Sequence, residues 1–288
     1  MKFTRRHLLA SAAAPALLSA APETASRKGR LKSAICAYSY RNELGKKTMT
    51  YEDVVNLASG WGVEGVDLTV YWFPSTEDSF LMPLKRVAYR QGVELYSISV
   101  RTNMCQATPE LQQKEITELK KWVDVASKLG AGHIRVFGGS VPKDATEDQA
   151  AGWVVKVLGE AGQYAASRGV ILGLENHGGI TDKADRIVEI VKKVDSPWVA
   201  VNLDTGNFRT RVNEQIAKLV PYAANVQVKA EMKEDGQTKE SDWDLVAQLL
   251  VKQGYKGYLA VEYEAAEDVK TAMPKMLERL NAVIKRNV

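Results

Sequence analysis

Short apolar runs alternate along the chain with longer stretches whose apolar residues recur at helical spacing. The runs are Lys32–Ala37, Gly65–Thr69, Val93–Val100, His133–Phe137, Val170–Glu175, Trp198–Asp204, Asn225–Lys229 and Tyr258–Glu262. Helical patterns cover Tyr51–Trp61, Pro109–Leu129, Asp148–Arg168, Lys183–Val194 and Asp242–Gln253. Glycine-containing turns precede several strands, at Gly62, Gly92, Gly130, Gly169 and from Gly254 to Gly257. This is the strand–helix rhythm of a parallel sheet. Eight such strands in about 260 residues predict an α/β chain folded as a TIM (β/α)8 barrel. A doubly wound open sheet would commonly carry a glycine-rich phosphate loop after its first strand, and Cys36-Ala37-Tyr38-Ser39-Tyr40 is no such loop.

Alternation within the strands sorts aliphatic from polar side chains. Val199, Val201 and Leu203 oppose Ala200, Asn202 and Asp204 in the sixth strand; Val226 and Val228 oppose Asn225, Gln227 and Lys229 in the seventh. The fifth sets Leu172 and Leu174 against Gly173 and Glu175, the eighth sets Leu259 and Val261 against Ala260 and Glu262, and the fourth sets Ile134 and Val136 against His133, Arg135 and Phe137. The aliphatic set must meet the helices, so the polar set points into the barrel, where it needs partners or a ligand. Internal ion pairs of Arg135 and Lys229 with the acids are one account. The other is function, because the carboxylates end their strands where barrel enzymes keep their sites. Glu175, Asp204, Gln227 and Glu262 are spaced by 29, 23 and 35 residues, one barrel repeat each time. Three carboxylates converging in a low dielectric repel, and a divalent cation relieves that repulsion. An all-oxygen donor set favours manganese, with magnesium or calcium as alternatives.

Composition changes this picture at the N-terminus and in its histidines. Residues 2–9, Lys-Phe-Thr-Arg-Arg-His-Leu-Leu, followed by an Ala/Leu stretch to Ala21, read as a signal peptide. Thr4-Arg5-Arg6-His7-Leu8-Leu9 suggests the twin-arginine export route, a plain secretory signal being the alternative. The expected division is a signal at 1–25, a leader at 26–30 and the barrel at 31–288. The mature chain is then expected in the periplasm or secreted, without a stable membrane anchor. Lys and Arg number 39 against 35 Asp and Glu, a net +4. Removing Lys2, Arg5, Arg6 and Glu23 takes away +2 and leaves a small, scattered excess, so nucleic acid is not an expected partner. Cys36 and Cys105 read as free buried thiols. Only 3 histidines occur, and His7 falls in the signal.

From about Leu31 onward the chain resembles the xylose isomerase-like TIM barrels, especially their sugar phosphate isomerase/epimerase branch. The resemblance rests on Leu174-Glu175-Asn176-His177, Asn202-Leu203-Asp204-Thr205-Gly206-Asn207, Val226-Gln227-Val228-Lys229 and Gly257 through Glu264. It implies a metal held by Glu175, Asp204 and Glu262, with Gln227 where the family usually has histidine. Asn207 likewise replaces a common histidine, and Ala230 a common aspartate. Two histidines cannot build the three-zinc cluster of the related endonucleases.

The resemblance also implies that Glu175 and Glu262 serve as acid and base as well as ligands. A metal chelating a carbonyl oxygen and a neighbouring hydroxyl acidifies the adjacent C–H and stabilises an enediolate. The expected activity is therefore proton abstraction next to a carbonyl in a sugar or keto-sugar, giving isomerisation or epimerisation. A lyase or hydratase acting on 3-keto-glycosides or their glycal products is the alternative, and a non-catalytic carbohydrate-binding barrel is the third. Arg135, His177, Asn207 and Lys229 are expected to bind substrate, a small sugar or keto-sugar; self-assembly is left open. Tyr38, Tyr71, Trp72, Phe73, Phe137 and Phe208 stand at strand ends, where some would stack on a sugar ring.

Overall fold

The computed structural model describes residues 29–288. The predicted signal and residues 26–28 of the leader lie outside the described residues. Strands β1 (Arg30–Cys36), β2 (Gly65–Thr69), β3 (Glu94–Ser99), β4 (His133–Phe137), β5 (Ile171–Glu175), β6 (Val199–Asp204) and β7 (Ala223–Val228) follow in order. A hairpin of β8 (Glu231–Glu234) and β9 (Gln237–Glu240) precedes the eighth barrel strand, β10 (Lys256–Val261). The eight close in the order β1-β10-β7-β6-β5-β4-β3-β2, with neighbouring strands parallel. β1 starts within the expected leader because the Arg30 N–H donates to the Tyr255 carbonyl at 2.9 Å.

The connecting helices are set by local chemistry. In Pro109–Leu129 the Thr108 hydroxyl accepts from the Leu111 N–H, and Pro109 fills the first turn, where no N–H is needed. Gly130, at φ 88°, ends that helix in the left-handed region. Ile116, Leu119, Val123 and Ala126 recur at three- and four-residue spacing and are buried in the shell between helices and strands. Beyond the five helices expected, Asp78–Gln91 and Val269–Asn287 each contain an internal proline, and Val212–Leu219 is short.

The aliphatic strand residues Val199, Val201, Leu203, Val226, Val228, Leu259 and Val261 belong to the outer core, as alternation requires. Inside the barrel the apolar cluster is small: Ala34, Cys36, Tyr96, Tyr258 and Ala260. Tyr96 and Tyr258 stack with centroids 3.8 Å apart and floor the barrel near the strand starts. Gly65 makes room for them, since a Cβ there would lie 2.6 Å from Tyr258 and 2.8 Å from Tyr96. Both cysteines are free and buried.

Gly65→Ala is expected to destabilise the fold by about 1–3 kcal/mol through overpacking. Gly152→Ala in helix Glu147–Arg168, where a Cβ meets nothing within 4 Å, should be neutral or gain about 0.5–1 kcal/mol. Urea midpoints measure both, and an unchanged Gly65→Ala midpoint would contradict the tightly packed floor.

Candidate active site

The rim of the barrel gathers the acids expected from the sequence. Glu175 ends β5 and Asp204 ends β6, while Lys229 and Glu262 directly follow β7 and β10. Glu175, Asp204 and Glu262 are buried, with exposures of 2%, 0% and 5%. Asn176 fixes Asp204 from behind: its Oδ1 accepts from the Asp204 N–H and its Nδ2 donates to the Asp204 carbonyl, both at 2.8 Å. The Gly206 N–H donates to Asp204 Oδ1 at 2.8 Å. Gly206 also lets the Lys229 stem cross, since a Cβ would lie 2.9 Å from its Cγ.

Two cations sit among these acids. Lys229 is anchored by its N–H to Thr205 Oγ1 and by its carbonyl to Trp243 Nε1, at 3.0 and 2.7 Å. Its ammonium lies 3.4 Å from Asp204 Oδ2 and 3.6 Å from Glu262 Oε1, and pairs with Glu264. Arg135 Nε lies 2.8 Å from Glu175 Oε2, an ion pair without a hydrogen-bonding angle. Its Nη1 donates to the Tyr71 hydroxyl at 2.9 Å and to the Val100 carbonyl at 3.0 Å, and its guanidinium covers the Phe137 ring at 4.1 Å. Asn207 Nδ2 donates to Glu175 Oε1 at 3.0 Å. His177 is exposed and stacks on Phe137 with centroids 4.0 Å apart. Cavities of about 260 and 280 Å³ open on either side, the first lined by Asn207, Lys229 and Glu264, the second by Phe137 and His177.

Burial dominates the electrostatics. It raises Glu175 well above the carboxylate range against the pull of Arg135, and raises Asp204 to about 7 against Lys229. For Lys229 burial opposes the charge, but Asp204, Glu262 and Glu264 outweigh it and hold the ammonium charged. Four carboxylates, Glu175, Asp204, Glu262 and Glu264, face two cations, so full ionisation leaves 4 − 2 negative charges. Glu175 Oε2 and Asp204 Oδ2 are buried without a hydrogen-bond donor. Among the described residues no three histidine, cysteine or acidic side chains form a ready-made metal cluster. The charge surplus at full ionisation and the hard oxygen donors, two of them held by ion pairs without a hydrogen bond, nevertheless fit a divalent cation.

The amide of Gln227 stands apart from this group. Although Gln227 pairs in register with Asp204, its amide turns to Asn202 and Asp67, where Oε1 accepts from Asn202 Nδ2 at 2.7 Å and Nε2 donates to Asp67 Oδ2 at 3.1 Å. Asp67 is fully buried, also accepts from Ser99 Oγ at 2.9 Å, and is raised to about 6 by burial against Arg135 and that hydroxyl. Asp67 and Asn176 are site residues given no role from the sequence, and Glu264 was given none beyond its place in the eighth-strand motif. Tyr71, expected among the aromatics that could stack on a sugar, accepts from Arg135. For Asp67 the signal was the same alternation, since Gly65, Asp67 and Thr69 share one face of β2. Of the rim aromatics, Phe208 is core at 1% exposure, whereas Tyr38, Tyr71, Trp72, Phe73 and Phe137 are half-buried.

The sequence profile described as xylose isomerase-like TIM barrel matches residues 55–283. The chain belongs to the xylose isomerase-like TIM barrel family. No curated protein matches it significantly by sequence. Among solved structures, this family member is similar to the IOLI protein with a bound zinc atom (16% identity, TM-score 0.75, covering 89% of this chain and 99% of that one). It is also similar to D-psicose 3-epimerase from Clostridium cellulolyticum H10, solved with D-tagatose (17% identity, TM-score 0.71, 89% and 98% covered). A third is the probable 3-DHS dehydratase AsbF from Bacillus anthracis (16% identity, TM-score 0.67, 87% and 98% covered). At these identities the likeness is one of fold.

His133 reports on how dry the barrel of this family member is. Its ring is buried, with Nδ1 2.9 Å from Ser97 Oγ, and burial and then Arg135 lower it to about 3. The unfolded value near 6.5 is higher, so the unfolded chain binds the proton first. This contribution to stability is therefore complete above about pH 6.5 and is lost as pH falls towards about 3. An NMR titration should find the His133 ring neutral at pH 5; a midpoint near 6.5 would show that water reaches it.

Proposed function

We propose that the chain is a divalent-metal-dependent sugar isomerase/epimerase-like enzyme that moves a proton next to the carbonyl of a sugar or keto-sugar. The observation that carries this reading is the placing of two buried glutamates, Glu175 and Glu262, at the ends of β5 and β10, each beside a buried cation. Glu175, Asp204 and Glu262 would hold the metal, manganese before magnesium or calcium. When bound, the ion supplies electrophilic stabilisation to the negative charge that develops on the substrate.

The remaining steps belong to the side chains. One glutamate takes the proton from the carbon beside the carbonyl, and the C–H electron pair moves into the new C=C bond while negative charge gathers on oxygen. The other glutamate returns a proton, to the opposite face of the same carbon for epimerisation or to the neighbouring carbon for isomerisation. Arg135, already directed into the site by Tyr71 and Val100, binds the charged oxygen or the Glu175 that carries the proton. Asn207 steers Glu175 Oε1, and His177 offers an exposed ring face to the substrate.

Elimination or hydration on a 3-keto-glycoside is the second reading. The Lys229–Glu264 pair beside Glu262 favours it, because an ammonium there can protonate a departing oxygen. Export through the predicted signal fits free or keto-sugars better than phosphorylated ones.

Glu262→Gln is expected to lower solvent deuterium exchange into a 3-keto sugar by at least about 10²-fold, and chelation should lower it similarly in the parent. Full exchange in the variant while it still holds metal would remove Glu262 from the proton path. Binding without exchange by the parent would support a carbohydrate-binding barrel instead.

A further inference from the structure

The position that the family resemblance assigns to a metal-binding histidine is held here by Gln227, whose amide is engaged at both ends. We propose that Gln227 is a strut of the barrel interior and not a ligand, so that the metal site is built from Glu175, Asp204 and Glu262 alone. The second half of this proposal rests on the metal-dependent reading above; the first does not.

The argument begins at Asp67. An ionised carboxylate only accepts hydrogen bonds, so the Gln227 atom 3.1 Å from Asp67 Oδ2 must be the NH₂ group. That choice fixes Gln227 Oε1 at the other end, where it needs a donor and meets Asn202 Nδ2 at 2.7 Å. Asn202 is then oriented too: its Oδ1 accepts from Asn225 Nδ2 at 2.8 Å, and Asn225 Oδ1 accepts from the Tyr96 hydroxyl at 3.2 Å. One buried charge thus sets the direction of three amides in sequence, and no alternative flip satisfies every partner.

Gln227, Asn202 and Asp67 are each 0% exposed, and Asn225 is 1% exposed. Turning the Gln227 carbonyl up to a cation would strand the Asn202 donor and the Asp67 acceptor together in this dry layer, each at the desolvation cost of an unmet polar group. None of the hydrogen-bond partners of Gln227 (Asn202, Asp67 and Cys36) is a proposed ligand, so the amide does not orient the metal indirectly either. A site without the fourth donor leaves one more coordination position for water or substrate than a histidine-bearing relative has. Its three hard oxygens also lack the nitrogen donor that favours zinc.

The test compares the full chain with Gln227→Met, Gln227→Ala, Asp67→Asn and the Gln227→Met/Asp67→Asn double variant, by thermal melting and by Mn²⁺ titration read from the free-ion EPR signal. Both Gln227 variants are expected to melt several degrees lower, yet to bind Mn²⁺ within about twofold of the parent. The double variant should lose less than the sum of its single losses, because the first change already breaks the bond the second removes. Mn²⁺ binding weakened about tenfold or more in either Gln227 variant overturns the proposal, whatever the melting shows. Additive melting losses also overturn it. If the parent itself takes up no Mn²⁺, the metal-dependent reading of the function falls, and the melting cycle alone decides the strut.

Discussion

A carboxylate taken out of water must be met by a counter-charge, by hydrogen-bond donors or by a proton. This barrel buries four of them, Asp67, Glu175, Asp204 and Glu262, inside a ring of strands that most barrels fill with aliphatic side chains. The partners they require also hold the strands together. Arg135 ties β4 to the end of β5, Lys229 ties the ends of β6, β7 and β10, and the Asp67–Gln227–Asn202 chain ties β2, β7 and β6 across the interior. Removing one member of such a pair leaves an uncompensated buried charge, which commonly costs about 3–5 kcal/mol. At the rim, site and scaffold therefore draw on the same interactions, because Arg135 and Lys229 both neutralise the acids and join the strand ends.

The order of demand runs from the floor to the rim. Near the floor, tyrosines and amides satisfy one another, and the charge of Asp67 sets their polarity. At the rim, four acids face two cations, and two carboxylate oxygens keep no donor. The amides and tyrosines of the lower layer are paired, with His133 Nε2 left over, while the rim keeps those two oxygens without a donor. A ligand at such a buried rim can supply contacts that the ion pairs with Arg135 and Lys229 leave unmade.

Much of this was legible in the sequence, for one reason. Period-two alternation holds at the C-terminal ends of β4, β5, β6, β7 and β10, so Glu175, Asp204, Gln227, Glu262, Arg135 and Lys229 could be assigned to the interior from parity alone. Register shifts in β3 and β7 break it nearer the strand starts. What alternation cannot state is depth or direction along the barrel axis. Gln227 and Asp204 have the same parity, yet the amide turns down to Asp67 while the carboxylate stays at the rim. Asp67 was hidden because β2 is buried throughout and one acid in a five-residue apolar strand draws little notice. Tyr71 and Asn176 act from beyond the strand ends, where no periodicity applies. The hairpin β8–β9 was unforeseen because its residues are polar almost throughout, and the helices with Pro83 and Pro274 carry an interior breaker.

The stacked Tyr96 and Tyr258 have a consequence for traffic. With aromatic rings blocking the lower end, the barrel has one doorway, and anything that reacts among the acids must leave by the route it entered. Ligands arriving and leaving would then share the same passage. The blocked end also denies water a file through the barrel from below, so solvent reaches the buried glutamates from the rim. A ligand held at the rim would shield them from that water for as long as it stays.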